Sequence, residues 1–596
     1  MQSRKASVPL VNGTARPSPV KHGYSTRRNR VVDYGKLNKG ITVGVVEKIH
    51  FALEYNCHMT MKQATTKFGS DVVSESGMKE MKQMLDMRVM DAIAPEEARR
   101  LRKKGFKFTR TFMFYKDKYD IDGKLQKVKG RFVNMELKRN KHPHDSNKRT
   151  AGNAMAESIN TTLADAADKG KQIAVIDVVG AYLHASAGNV KKYLIIDKNI
   201  ADILCKLKPE LFKLRDQNGL LYAKKNKALY GSTDAAELWY TDISSYLKSI
   251  GFVANPYDNC VFNLVNKKTN NIMITIALHV DDLLVTSKET WLLEWVRDKL
   301  KAKYGDVSYK TGKRLKYLGI NIIINDDGNI DLDCEDVFTE MLKDYKIQNK
   351  SIYPAGRGLF NIRGNGTALS EAQRSEYLSR IMKIQYYAKK VRVDLLPTLA
   401  FLRTRVSVAT TEDWDKLTRL LYYINETKSQ KMTFKKCGSM VPEVSVDTSH
   451  GTHSDRKGHT GIIARLGNST IYASSTKQKL VTRSSFECEL VGLGNATQWI
   501  KWWRNFLIHQ RMIKEDHCIQ VWQENKSTIL AALQGRSNSR RTKHIDIRYF
   551  EVKELVEEKK IKITYMPTDQ MTSDFMTKPL QGGAFMRIRG IILNNG

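Results

Sequence analysis

The sequence predicts a multidomain protein of the α+β and α/β classes, on three observations. The chain has 596 residues, long enough for about three or four domains. Its N-terminal half alternates helically spaced apolar residues with β-branched runs, and two of those runs lead into aspartates. A mainly helical stretch at 351–433 is followed, from Val444, by strands, turns and isolated carboxylates, as in a last α/β domain.

Hydrophobic residues make up 41% of the chain and aromatic residues 9%, enough for real cores. The formal net charge is +36, from 99 Lys+Arg against 63 Asp+Glu, which points to a polyanion partner, most simply nucleic acid. A membrane surface is the alternative, but no basic amphipathic helix or lipidation signal stands out. The seven cysteines form no C-x-x-C pair, which argues against a zinc knuckle or disulfide framework and fits a reduced setting. With no apolar signal core and no membrane-length apolar run, a soluble intracellular protein is expected.

Residues 1–74 read as a basic flexible tail, with Arg27-Arg28-Asn29-Arg30 in a stretch rich in Ser, Pro and Gly. A solvated linker and a nucleic-acid contact both fit it. Met78, Met81, Leu85 and Val89 predict a helix with a core-facing stripe, with Lys79, Glu80 and Lys82 between them. Arg110–Tyr115 predicts a strand, Asp120–Lys124 a turn, and Lys127–Val133 a strand with alternating basic side chains. That basic face suits a triphosphate or a template backbone, or is simply solvated. Ile173–Val178 is a β-branched run reaching Asp177, which suits either a helix cap or a metal ligand. Ala228-Leu229-Tyr230-Gly231 is expected to open a helix running through Trp239 to Leu247. Asn321–Ile324 predicts a strand, and Asp326-Asp327-Gly328-Asn329 a hairpin turn.

The most informative stretch is Thr275–Thr286, in which Asp281 and Asp282 interrupt an apolar run. A surface turn accounts for such a pair, since turns favour Asp. A metal site at a β-hairpin also accounts for it, because adjacent carboxylates repel each other and are costly in apolar surroundings unless a cation compensates.

Several motifs occur in the order and approximate spacing of copia-type retrotransposon reverse transcriptases. They are Asp177-Val178-Val179-Gly180-Ala181-Tyr182-Leu183, Leu229-Tyr230-Gly231, His279-Val280-Asp281-Asp282 and Tyr317-Leu318-Gly319. Ser484–Leu490, Arg541–Tyr549 and Asp574–Leu580 resemble that family's ribonuclease H motifs. The resemblance runs from about Glu75 to the C-terminus. It implies a right-hand polymerase over 75–350, with fingers, thumb and a ferredoxin-like βαββαβ palm. A mainly helical connection over 351–440 and a ribonuclease H-like domain over 441–596 would follow. Asp177, Asp281 and Asp282 map to the polymerase carboxylates, with Asp177 and Asp281 the leading ligands. Asp447, Glu489, Glu524 and Asp574 map to the ribonuclease H ligands, Glu487 being a near competitor of Glu489. His544 and Asp546 read as structural or substrate-facing.

Both sites would use two Mg²⁺, or Mn²⁺, since nucleotidyl transfer and hydrolysis need charge neutralised at phosphorus and carboxylates are hard-ion ligands. Tyr182 maps to the position that packs beneath the sugar and excludes a 2′-hydroxyl, although a core tyrosine also fits. Lys129 and Arg131 map loosely to a basic pair near the triphosphate. Gly231 would let the backbone approach template or nucleotide. The implied partners are an RNA template, a DNA primer, an RNA–DNA hybrid and deoxynucleoside triphosphates, in a cytoplasmic virus-like particle and in the nucleus. Thr26–Val31 resembles the basic linker after integrase, so the chain reads as the C-terminal portion of a polyprotein.

Three departures bear on activity. His279 stands where tyrosine is usual, a change of fit more than chemistry. Ser232–Glu237 replaces the usual Leu-Lys-Gln, adding two acids and losing a lysine. Glu524 replaces an aspartate; one methylene moves the carboxylate by about 1.5 Å, and misplacement of about 1 Å can cost roughly a hundredfold in rate. Weak or absent ribonuclease H activity is therefore expected. A decayed or domesticated copy that binds nucleic acid without catalysis is the alternative reading.

Overall fold

Four β-sheets organise the computed structural model, which describes residues 59–119, 125–136, 152–188, 192–534 and 546–595. The turn expected at Asp120–Lys124, the basic cluster at Arg27–Arg30 and His544 lie outside the described residues.

The first sheet runs Met59–Thr60, Phe108–Tyr119, Lys192–Ile196, Leu221–Lys225, Met90–Ile93, with Leu125–Asn134 paired to Phe108–Tyr119. Helix Ser70–Asp86 buries Val73, Met81 and Met84 against it. Regular structure thus begins before the expected boundary at 74. Met59 and Thr60 pair with Tyr115 and Phe114, and Thr60 caps helix Met61–Phe68 in a capping box with Gln63. The Met-rich helix also ends earlier than its apolar spacing suggests. Arg88 turns the chain at φ 51°, and Met90–Ile93 becomes a strand.

The second sheet has the order Val307–Thr311, Gln172–Val178, Asp282–Ser287, Ile272–His279, Asp258–Val265, Val253–Asn255, every neighbour antiparallel. Helix Ala235–Ser249 lies in sequence between the strands Gln172–Val178 and Ile272–His279. Helix Thr290–Tyr304 lies between Asp282–Ser287 and Val307–Thr311. With Val253–Asn255 and Asp258–Val265 set aside as an added pair, this is the βαββαβ arrangement. Residues 228–234 are loop rather than the helix start expected there.

The third sheet is Arg314–Tyr317, Ile320–Ile324, Ile330–Asp333 and Met432–Phe434. Its last strand returns after helices Glu371–Ala388, Leu396–Arg405 and Thr411–Glu426. The unit begun at 314 therefore closes beyond 430, and the expected boundary at 350 falls inside it. Arg392 lies fully buried among these helices. It holds Asp394 at 2.9 and 2.7 Å and donates to the Thr427 carbonyl at 2.7 Å. A buried charge of this kind is tolerated because its donors are used.

The fourth sheet runs Ser469–Lys477, His459–Leu466, Pro442–Ser449, Ile519–Gln523, Ile561–Tyr565, the first three antiparallel and the last two added in parallel. The 25-residue helix Ser485–His509 packs on strand Pro442–Ser449. Buried side chains join this unit to the second: Asn263 Nδ2 donates to Gln510 Oε1 at 2.5 Å, and Asn160 Nδ2 to the Ile471 carbonyl at 3.2 Å.

His453 and His459 are buried in the fourth unit, 3.0 Å apart, and His459 contacts Ser475 Oγ at 2.7 Å. Burial, then the charge of Lys477, pushes the His453 imidazole down to about 4. Burial, then His453, pushes that of His459 down to about 3. Both fold neutral, so the unfolded chain binds more protons once pH drops below about 6.5. Their stabilisation is present above that pH and is lost as pH falls toward 4. The unfolding midpoint should fall over this window, by up to about 1.4 kcal/mol per pH unit for each imidazole. Denaturant titrations at stepped pH test this; a His453→Gln, His459→Gln chain with an unchanged acid limb would refute it.

Candidate active sites

Strand Gln172–Val178 is anchored by buried Ile173, Ala174, Val175 and Ile176, and carries Asp177 near its C-terminal end. Register places Asp177 directly opposite Asp282 on one side and Ser308 on the other. His279 pairs with Asp282, so Val280 and Asp281 are the two turn residues of the hairpin. Cross-strand neighbours share a face, so the carboxylate directly across from Asp177 is that of Asp282, with Asp281 in the turn beside them.

The turn is strained. Val280 has φ 59°, a conformation that costs a β-branched residue about 1–3 kcal/mol. Three hydrogen bonds hold it there. Val280 N donates to Gly152 O at 3.0 Å, Val178 N to Asp281 O at 3.1 Å, and Trp239 Nε1 to Val280 O at 2.6 Å. Trp239 looks like simple core in the sequence; its buried ring does pack, but its one polar atom fixes the carbonyl preceding Asp281. A lone indole in an apolar helix gives no sequence signal of that bond.

The charge of Asp281 bears on Arg131 and Tyr230, and that of Asp282 on Tyr317 and Tyr386. The Arg131 guanidinium lies 4.4 Å from the Tyr230 ring centroid, and the Tyr182 ring meets Tyr230 edge-on at 4.9 Å. Lys129 sits two residues along the same strand, opposite Lys116. The charges of Arg131 and Lys129 both bear on Glu80. Glu80, which lies between the stripe residues with Lys79 and Lys82, is buried; burial raises its carboxyl, and it accepts from Phe132 N at 2.9 Å.

Gly231 serves a close approach, but within the chain. At φ 79°, a Cβ there would lie 2.3 Å from the Asn134 carbonyl oxygen and 2.5 Å from Val133 Cγ1. The acids of Ser232–Glu237 are partly absorbed too. Asp234 pairs with Lys192 at 3.0 Å and with fully buried Lys225 at 3.4 Å. Burial alone would raise its carboxyl, but the two lysines hold it low.

The second carboxylate site gathers Asp447 from strand Pro442–Ser449, Glu489 from helix Ser485–His509, and Glu524 from just beyond strand Ile519–Gln523. Ligand oxygens of these three lie within 4.8 Å of one another. Among the described residues no other three His, Cys, Asp or Glu side chains converge this closely, so Asp177, Asp281 and Asp282 are neighbours by register without forming such a cluster. The extra methylene of Glu524 does not take its carboxylate out of the group. Glu487 turns instead to its own helix start, accepting from Arg483 N at 2.8 Å.

Asp447 Oδ1 and Glu524 Oε2 are buried without a hydrogen-bond partner among the described residues. Burial, then Glu489, pushes the Asp447 carboxyl well up. Burial foremost, with Glu524 adding to it, pushes Glu489 up to about 8. Orphaned oxygens on clustered, mutually repelling carboxylates fit a hard divalent cation. Asp574, heading helix Asp574–Thr577, stands outside the trio, with Lys578 Nζ 2.7 Å from its Oδ1.

Residues 102–354 match the Reverse transcriptase (RNA-dependent DNA polymerase) family. The chain is 26% identical to the Retrovirus-related Pol polyprotein from transposon RE2 of Arabidopsis thaliana, over 78% of this chain and 31% of that one. It is 23% identical to the Pol polyprotein from transposon TNT 1-94 of Nicotiana tabacum, over 79% and 34%. It is 25% identical to the Transposon Ty1-BL Gag-Pol polyprotein of Saccharomyces cerevisiae, over 70% and 24%. Among solved structures, prototype foamy virus protease-reverse transcriptase aligns over 82% of this chain and 52% of that one, at 13% identity and a TM-score of 0.21. LC11-RNase H1 aligns over 23% and 92%, at 14% identity and a TM-score of 0.18. The chain therefore carries a reverse transcriptase domain. It is a homologue of the copia-type transposon Pol polyproteins, spanning about a third or less of their length.

If the Trp239 bond holds a strained turn, its value depends on the strain. Trp239→Phe should destabilise the Val280→Gly chain less than the parent, with a coupling of about 0.5–3 kcal/mol in denaturant melts. Additive effects would show that the indole acts by packing alone.

Proposed function

We propose that the chain is the polymerase and ribonuclease H portion of a copia-type Pol polyprotein. It extends a DNA primer on RNA or DNA templates with deoxynucleoside triphosphates, and cleaves RNA in RNA–DNA hybrids. The observation that carries the polymerase reading is the register that sets Asp177 across from Asp282 with Asp281 in the intervening turn. Like charges directly opposite on one face are destabilising without a cation. In this reading the βαββαβ sheet is the palm and the first sheet the fingers, and the units from 314 to 434 supply thumb and connection. The fourth unit is ribonuclease H-like, supported by its mixed sheet and its carboxylate trio.

Asp177, Asp281 and Asp282 would hold Mg²⁺ or Mn²⁺, which supply charge neutralisation at the phosphorus when bound. In this reading Arg131 and Lys129 meet the triphosphate, and Tyr182, whose ring packs on Tyr230, presses against the sugar and excludes a 2′-hydroxyl. The net charge of +36 suits a nucleic-acid track. Residence in a cytoplasmic virus-like particle, with passage to the nucleus, follows from the same reading.

Primer extension on an RNA template with Mg²⁺ tests the polymerase: Asp281→Asn and Asp177→Asn should each abolish incorporation. Equal incorporation by parent and variants would sink the assignment. Tight hybrid binding with no extension by the parent would select a non-catalytic copy, a reading favoured by the looser grouping of Asp177, Asp281 and Asp282.

The second site makes a separate prediction. Glu524 reaches the cluster with a carboxylate longer than the family's aspartate, so Glu524→Asp should raise hybrid cleavage by roughly ten- to a hundredfold if the extra methylene misplaces it. Unchanged cleavage would mean that Glu524 already sits correctly.

A further inference from the structure

The two sides of the Asp447 carboxylate are not alike. Its Oδ1 is buried and has no partner among the described residues, whereas its Oδ2 accepts a hydrogen bond from Thr577 Oγ1. Asp447 belongs to a converging trio with Glu489 and Glu524, whose ligand oxygens lie within 4.8 Å of one another. Asp574 also interacts with Asp447, and its Oδ1 is held at 2.7 Å by the ammonium of Lys578. Lys578 follows Asp574 by four residues, at the end of the same short helix, and its charge falls on Asp447 and Glu524 as well as on Asp574. A tethered cation thus stands at Asp574, while Asp447 Oδ1 and Glu524 Oε2 of the trio have no partner among the described residues.

We propose that the Lys578 ammonium takes the place of a second divalent ion at this site, so that without nucleic acid the site holds one divalent ion, on Asp447, Glu489 and Glu524. This rests on the reading of the fourth unit as a metal-dependent ribonuclease H-like domain. Charge balance supports it. Fully ionised, as cation ligands are, the four carboxylates would carry four negative charges against the one positive charge of Lys578, leaving three to offset. One divalent ion leaves a single negative charge, whereas two would leave the site positive before any phosphate enters. Lys578 is then a positioning residue: it pairs with Asp574 and sets how many ions the free protein takes up.

The test is a count of bound Mn²⁺, by equilibrium dialysis with the free ion read by electron paramagnetic resonance. It uses the full chain carrying Asp177→Asn, Asp281→Asn and Asp282→Asn to silence the other site. One Mn²⁺ per chain is expected, and two after Lys578→Met. Lys578→Gln provides a second neutral variant should the first fold poorly, and Lys578→Arg, which keeps the charge, should stay at one. Two ions with Lys578 in place, or one ion in all four chains, would overturn the proposal while leaving the metal site standing. No Mn²⁺ in any of them would overturn the metal site and the proposal together.

Discussion

The register between strands Gln172–Val178 and Asp282–Ser287 is the constraint on which the first site depends. Side chains alternate faces along a strand, so a slip of one residue would carry Asp177 or Asp282 to the opposite face. The register is locked from both ends. Ile173, Ala174, Val175 and Ile176 pair with Thr286, Val285, Leu284 and Leu283, apolar against largely apolar, so a slip would turn core side chains out as well. At the other end the short turn through Val280 leaves no slack, and Val178 N closes on the Asp281 carbonyl. Placement of the carboxylates is thus a by-product of core packing, and strain is concentrated in the one residue preceding Asp281.

The same division of labour governs the charge arrangement. A chain with an excess of 36 positive charges has ample cation to set against its acids, yet the two sites treat theirs differently. Where an acid would disturb the first site, a lysine neutralises it internally, as Lys192 and Lys225 do for Asp234. Where acids must act together, the nearby Lys578 pairs with Asp574, and among the described residues Asp447 Oδ1 and Glu524 Oε2 are left without donors in a buried place. An unsatisfied buried carboxylate costs stability, so its persistence points to a ligand rather than to packing.

How far the sequence reveals this depends on the range of the interaction. Strand identities and the aspartates at Asp177, Asp281 and Asp282 are legible because acids that interrupt a local apolar run must either leave the core or be compensated within it. The order of the motifs adds the long-range part, that Asp177 and the aspartate pair are brought to one sheet. Sequence spacing fails where the deciding contact is distant. Glu80 sits between two lysines like a solvated acid, but the Phe132 amide it caps is 52 residues away. Gly231 reads as an approach to a ligand, while the atoms that forbid a side chain there are Asn134 O and Val133 Cγ1. The helix expected from Ala228 begins at Ala235 because the intervening loop is pinned elsewhere, with Tyr230 O accepting from Asn134 N and Asp234 drawn to Lys225.

Glu487 and Glu489 show what two residues of helix can decide. Both are buried in the first turns of helix Ser485–His509, and composition does not separate them. Two positions along a helix turn a side chain by about 200°. Glu487 therefore folds back to Arg483 N at the free N-terminal amides, where a carboxylate is favoured locally, and Glu489 faces strand Pro442–Ser449 and the trio. The acid nearest the helix end satisfies its own backbone; the one a half-turn on meets Thr448, Gln523 at 3.4 Å and the two other carboxylates. A carboxylate set against two more of its kind has a cation as the partner that best relieves the repulsion, and the fold rather than the local sequence puts it there.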